Sequence, residues 1–151
     1  MISAASPYSR ENVTSMTRAL KTLRAVQWSM LASILLYVLL GELVGPRTRG
    51  VDASLSYIFS TLAVGIVGTI FVVRRTLVLR AAENLATHPD DSLSLNHWQT
   101  GYIATYSLCE ALGLFGLVLR FRGCPLQQSL LFYIGAFVLL FFFSPRDPLR
   151  A

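Results

Sequence analysis

Glu110 stands near the middle of residues 102–121, a run otherwise built largely from Ile103, Leu108, Leu112, Leu114, Phe115, Leu117, Val118 and Leu119. Hydrocarbon cannot solvate charge, so a carboxyl at that depth marks either a functional site or a group held by a specific partner. On a helix, Tyr106 and Ser107 lie one turn before it and Gly113 and Leu114 one turn after, which puts two hydroxyls near the acid. Desolvation favours the neutral form of a carboxyl group. A neutral acid able to release its proton under a passing positive charge is the working part of membrane proton carriers, so Glu110, Tyr106 and Ser107 form a candidate proton- or ion-binding set. The competing expectation is a structural carboxyl that bonds across helices.

Other reactive groups point to blander roles. Glu42 lies near Arg47 and Arg49, where an interfacial ion pair is expected. Arg120 is ten residues beyond Glu110, ~15 Å along one helix, and is expected to snorkel to the outer headgroups. His88, Asp90, Asp91 and His97 match no recognised ligand spacing, so helix capping and loop solvation are predicted there and no metal. Cys109 and Cys124 are fifteen residues apart, ~22 Å along a helix, too far for an intrachain disulfide. Cys109 reads as an apolar filler and Cys124 as an outer-surface thiol open to cross-linking. The chain has no glycine-rich phosphate loop, no nucleophile beside a histidine and no histidine within its apolar runs, so neither an enzyme nor a cofactor is predicted.

The elements that must position these groups follow from composition. Hydrophobic residues make up 54% of the chain and charged residues 14%, with mean hydropathy +0.55, which points to an integral membrane protein. Apolar runs cover residues 26–44, 55–73, 102–121 and 126–143. Each approaches the ~20 residues that a helix needs to cross hydrocarbon. Their continuity fits helices and not the alternation of a barrel. The expected fold is therefore all-α and polytopic: four transmembrane helices arranged as two antiparallel hairpins with short outer loops at 45–54 and 122–125. The first span is too long for a signal-peptide core and no small-x-small site precedes the following loop, so it is expected to be retained.

Residues 1–24 carry Val13, Met16, Leu20 and Leu23 at helical spacing, with Arg18, Lys21 and Arg24 largely on the other side, which predicts an amphipathic segment at the headgroups. The second span should continue as helix through residues 74–86, and Trp98 with Tyr102 should anchor the third span at the interface. Nine basic residues (Arg10, Arg18, Lys21, Arg24, Arg74, Arg75, Arg80, Arg146, Arg150) oppose four (Arg47, Arg49, Arg120, Arg122), so both termini, including the 145–151 tail, and the central loop are expected in the cytoplasm of a cell with this as an inner-membrane protein. The net charge of +5 is then a matter of topology, and no nucleic acid partner is needed to explain it. Partners are the lipid bilayer and either further copies of the chain or a larger membrane complex, because one small bundle has few polar groups to line a route. Helix packing is expected at Thr61, Gly65, Gly68 and Thr69, along Ser29, Ser33, Tyr37 and Gly41, and at Gly113 and Gly116.

The run Leu108-Cys109-Glu110-Ala111-Leu112-Gly113-Leu114-Phe115-Gly116-Leu117-Val118 resembles the second helix of the ring-forming c subunit, or proteolipid, of rotary ATP synthases. Pro89 and Asp90 resemble the proline and acid of that family's polar loop, and the likeness extends over residues 85–121. It implies that Glu110 would be the proton-binding group. Thr87 and His88 replace the family's loop arginine and glutamine, only Gly65 and Gly68 stand for its glycine stripe, and two further spans flank the pair. The whole layout is also similar to a family of small, uncharacterised four-span bacterial membrane proteins with a central Cys-Glu-Ala motif and a Pro-Arg ending, here Pro145-Arg146, a likeness that implies no activity.

Overall fold

Apolar residues without interior prolines, separated by polar breakers, produce helices throughout the computed structural model, which describes the backbone of residues 7–45, 53–88 and 91–145 and side chains from Ser15 onward. In chain order they are α1 (Pro7–Val44), α2 (Ala53–Val73), a widened π turn (Arg74–Leu79), α3 (Arg80–Thr87), α4 (Ser92–Phe121) and α5 (Leu126–Phe142). Among the described residues three stretches, Ser15–Val44, Ser54–Thr87 and Ser92–Phe121, are long and apolar enough to cross a membrane, and Leu126–Phe142 is an apolar but shorter helix.

α4 is the hub. It packs along α1, α5, α2, the π turn and α3, whereas α1 and α2, consecutive in the chain, barely touch. The expected first hairpin is therefore no packing unit; each of its arms leans on α4. The second hairpin is tight. Gly123 adopts φ 90°, its N–H bonds the Arg120 carbonyl at 3.0 Å, and the Cys124 N–H bonds that of Leu119 at 3.0 Å. This closes α4 on a left-handed residue that only glycine adopts without strain, and Pro125 then starts α5. The closure also folds Cys124 inward onto Leu119, both fully buried, so Cys124 is not the exposed thiol expected from its place in the loop. Both cysteines are free.

The amphipathic pattern near the N-terminus proves to be the start of α1 itself. Met16, Ala19 and Leu23 join the core while Arg18, Lys21 and Arg24 stay exposed, so the apolar face is spent on protein contacts; Arg10 and Val13 lie outside the described side chains. Helix does continue past the second span. Within the π turn the Thr76 hydroxyl bonds the Val72 carbonyl at 2.8 Å, taking up an acceptor that the wider turn leaves short of partners. The turn presses Val78 onto α4 at Gly101, where an added Cβ would lie 2.7 Å from Val78 Cγ2 and 3.0 Å from Leu77 Cβ. Trp98 and Tyr102 are buried in this contact with their rings 5.0 Å apart, so they anchor the helix to its own bundle and not to the interface.

Gly101→Ala should destabilise the bundle by about 1–3 kcal/mol through this overpacking. Gly135→Ala, where a Cβ meets nothing within 4 Å, should be neutral or slightly stabilising. Detergent-unfolding midpoints of the two variants check the difference; equal midpoints would contradict the close approach at Gly101.

Candidate functional site

Polar side chains enter the apolar bundle at three depths, each joining α4 or α5 to α1. In the middle layer the Tyr37 hydroxyl donates to Glu110 Oε1 at 2.8 Å. Glu110 is half-buried. Neither hydroxyl expected beside it is its partner: Tyr106 donates across to the Phe143 carbonyl at 3.3 Å, and Ser107 faces outward, exposed. The reason is reach. A phenol carries its O–H far from its own backbone and meets the neighbouring helix, whereas Ser107 is short and lies on the wrong side.

At the end of α5 the polar layer serves backbone. The last carbonyls of a helix have no helical N–H to accept from, and in hydrocarbon nothing else replaces it. Gln27 Nε2 donates to the Leu140 carbonyl at 2.8 Å, its Oε1 accepts from the Ser144 hydroxyl at 3.4 Å, and Tyr106 serves Phe143. The Arg74 guanidinium lies 4.1 Å from the Phe143 ring centre and 5.5 Å from that of Tyr102. There it gains cation–π attraction and complements the negative end of the α5 dipole. Gln27 and the packing role of Arg74 went unread in the sequence, although a lone amide between Val26 and Trp28 is as unusual as the acid at 110.

At the other end Arg120 Nε donates to Glu42 Oε1 at 2.9 Å and its Nη1 donates to the Cys124 carbonyl at 3.2 Å. The Arg120 side chain is 10% exposed and that of Glu42 41%. This corrects one expectation, since Arg120 does not snorkel outward, and it gives Glu42 a partner in Arg120. Arg47 and Arg49 lie outside the described residues. Gly41 makes the pairing possible, because a Cβ there would lie 3.1 Å from Arg120 Cγ and 3.2 Å from the Tyr133 oxygen.

Of the expected packing glycines, Gly113 and Gly116 do receive neighbours, with an added Cβ 3.3 Å from Ile34 Cγ1 and 2.9 Å from Tyr133 Cε1 respectively. The α2 group does not. Thr61, Gly65, Gly68 and Thr69 are exposed, nothing lies within 4 Å of a Cβ at either glycine, and both threonines bond their own helix, to Tyr57 and Gly65 carbonyls at 2.9 Å. That face is open within the chain because α4 meets α2 on its other side, through Phe59 against Phe115 at 5.0 Å. An apolar groove of about 270 Å³ between α2, α4 and α5 touches Leu112 but not Glu110.

Of the four loop residues weighed as metal ligands, Asp90 lies outside the described residues, and among the described residues no three His, Cys, Asp or Glu side chains gather. Asp91 caps α4, accepting from the Leu93 N–H at 3.0 Å and from the Ser94 hydroxyl. The Ser94 bond, helped by the backbone N–H groups, holds the Asp91 carboxyl below its ordinary range against a smaller opposing effect of desolvation. No protein family, curated protein or solved structure matches the chain.

Two outcomes follow. A double-mutant cycle of Glu42→Gln and Arg120→Gln in detergent–lipid micelles should give a coupling of about 1–2 kcal/mol, below that of a fully buried pair because Glu42 is partly exposed. Additive losses would show that the pair contributes nothing as a pair. Asp91→Ala should speed exchange of the Leu93 and Ser94 amides roughly fivefold. Because the folded carboxyl titrates below the unfolded one, its stabilisation is complete above the unfolded value and disappears as pH falls through the lowered one. Amide protection at the start of α4 should drop in that acid window in the parent and not in the variant.

Proposed function

We propose that this chain is a four-span inner-membrane protein, with both termini and the α3–α4 loop cytoplasmic, that acts as a structural or accessory subunit of a membrane assembly. One contrast carries the reading. The polar groups at Glu110, Glu42, Arg120 and Gln27 are answered by α1, α4 and α5 of the same chain, while the small-residue face of α2 is left open. Small residues let helix backbones approach closely in lipid, where van der Waals packing and hydrogen bonds supply the attraction. A second copy or a larger partner would take that face. Glu110 in this reading is a cross-helix bond: an acid whose partner is a phenol on α1 joins two parallel helices, as Arg120 and Glu42 do ten residues further along α4.

A second reading, a proton- or ion-linked component using Glu110, is favoured by its half-burial beside the Tyr37 hydroxyl. Against it, Arg120 is ~15 Å from Glu110 along α4, too far to pair with its carboxylate directly, and is bonded to Glu42. In either case the chain provides the membrane framework and the partner supplies any transport route.

One set of variants separates the two. With the protein in lipid vesicles, Gly65→Leu combined with Gly68→Leu should abolish cross-linked or co-migrating oligomers while leaving the monomer's unfolding free energy unchanged or raised by about 1 kcal/mol, as helix-favouring substitutions into open space do. Glu110→Gln should preserve association, lower bundle stability by about 0.6–1.7 kcal/mol, the range of single polar bonds in lipid, and leave proton permeability unchanged. Intact oligomers in the double variant would remove the α2 interface, and loss of a measurable proton flux on Glu110→Gln would favour the second reading.

A further inference from the structure

Beside the end of α5, Arg24, Gln27, Trp28, Leu31, Phe141, Phe142 and Ser144 line a groove of about 560 Å³. Its chemistry changes along its length. Lys21, Arg24 and Trp28 fall at i, i+3 and i+7, hence on one face of α1. The cationic end is exposed, while the walls beyond Trp28 are aromatic and aliphatic. Gln27 is not an open ligand for this groove: its amide is committed to the Leu140 carbonyl and Ser144, so it forms a fixed polar floor. The distinguishing recognition group is therefore the Arg24 guanidinium, aided by Lys21.

We propose that this groove is a binding site for an anionic phospholipid from the leaflet that faces the basic residues. The argument is charge and shape together. Guanidinium groups match phosphate in a bidentate geometry that lysine does not provide. An indole suits the headgroup boundary, where one end of the ring is wet and the other apolar. Below it, Leu31, Phe141 and Phe142 offer only hydrocarbon contact, which a soluble anion cannot use and an acyl chain can. Arg24 and Leu31 are seven residues apart, ~10 Å along the helix, so a phosphate at one and an acyl chain at the other fit a single lipid molecule. Occupancy would cover the junction of α1 with the α5 end and thereby support the layer that holds the α5 carbonyls. The site rests on the membrane-spanning reading above.

The chain contains two tryptophans, and they make a natural probe: Trp28 is 70% exposed and Trp98 1%. The full chain is placed in phosphatidylcholine vesicles in which an equal mole fraction of either phosphatidylglycerol or phosphatidylcholine carries brominated acyl chains, and tryptophan quenching is compared. Brominated phosphatidylglycerol should quench about twofold more than brominated phosphatidylcholine. Arg24→Gln should erase that preference, while Arg80→Gln, which removes an equal charge elsewhere on the same side, should keep it, and inorganic phosphate in the buffer should leave it unchanged. Equal quenching by the two lipids, or equal loss in the Arg80 variant, overturns the site in favour of diffuse surface charge. Competition by inorganic phosphate overturns it in favour of a soluble anion. No quenching by either lipid overturns the membrane-spanning reading itself, and the site falls with it.

Discussion

Hydrocarbon supplies no hydrogen bonds, so a polar group that a helix carries into it must be answered by that helix's own backbone or, where the side chain reaches further, by another helix. In this chain α4 carries most of that demand, with Tyr106, Glu110 and Arg120 along one helix, and the arrangement of α1 and α5 around it is the answer. Two bonds set the register of α1 against α4, Tyr37 to Glu110 and Glu42 to Arg120, and they agree in direction: the two helices run parallel with the larger numbers meeting the larger. α5 runs the other way, its end met by Gln27 near the start of the same α1 span. A one-turn slip of α1 would break all three at once, so these bonds specify register even where each contributes modestly to stability.

Glycine positions are the steric counterpart of those bonds. Gly41 leaves room for Arg120 and Tyr133, Gly113 for Ile34, Gly116 for the Tyr133 ring and Gly101 for Val78. Each is a place where a polar or bulky group must pass close to a backbone. Gly65 and Gly68 are spaced like the others yet meet nothing, which shows why a small-residue stripe alone does not reveal its partner. The same stripe serves internal packing or external docking according to which face the hub occupies, and that depends on long-range geometry.

Much of the architecture was legible because apolar run length and helix breakers are local properties. The continuation of α2 beyond residue 73, the Asp91 cap, the buried Cys109 and the close contacts at Gly113 and Gly116 all follow from local pattern. The misreadings share a different cause. Residue type and depth mark Arg120, Trp98, Tyr102 and Cys124 as groups that ordinarily face headgroups or water; Arg120, Trp98 and Tyr102 are instead buried by partners far away in sequence, and Cys124 by the turn that folds it onto Leu119. For Glu110 the depth and rarity of the acid were readable, but Tyr37 lies 73 residues away and one-turn neighbours were the wrong place to look.

The short α5 shows how such long-range partners alter what a helix must do alone. Its 17 residues rise about 25 Å, which in the four-span reading proposed above is less than the ~30 Å of hydrocarbon it would cross. A lone helix of that length would leave its last carbonyls unsolvated. Here Gln27 and Tyr106 take up that task from two different helices, and Arg74, at the start of the π turn, adds a positive charge at the negative end of the dipole. Arg74 and the buried amide thus serve the same helix end. The bundle can close around a helix shorter than the others because its neighbours carry, as side chains, the hydrogen-bond donors that water would otherwise provide.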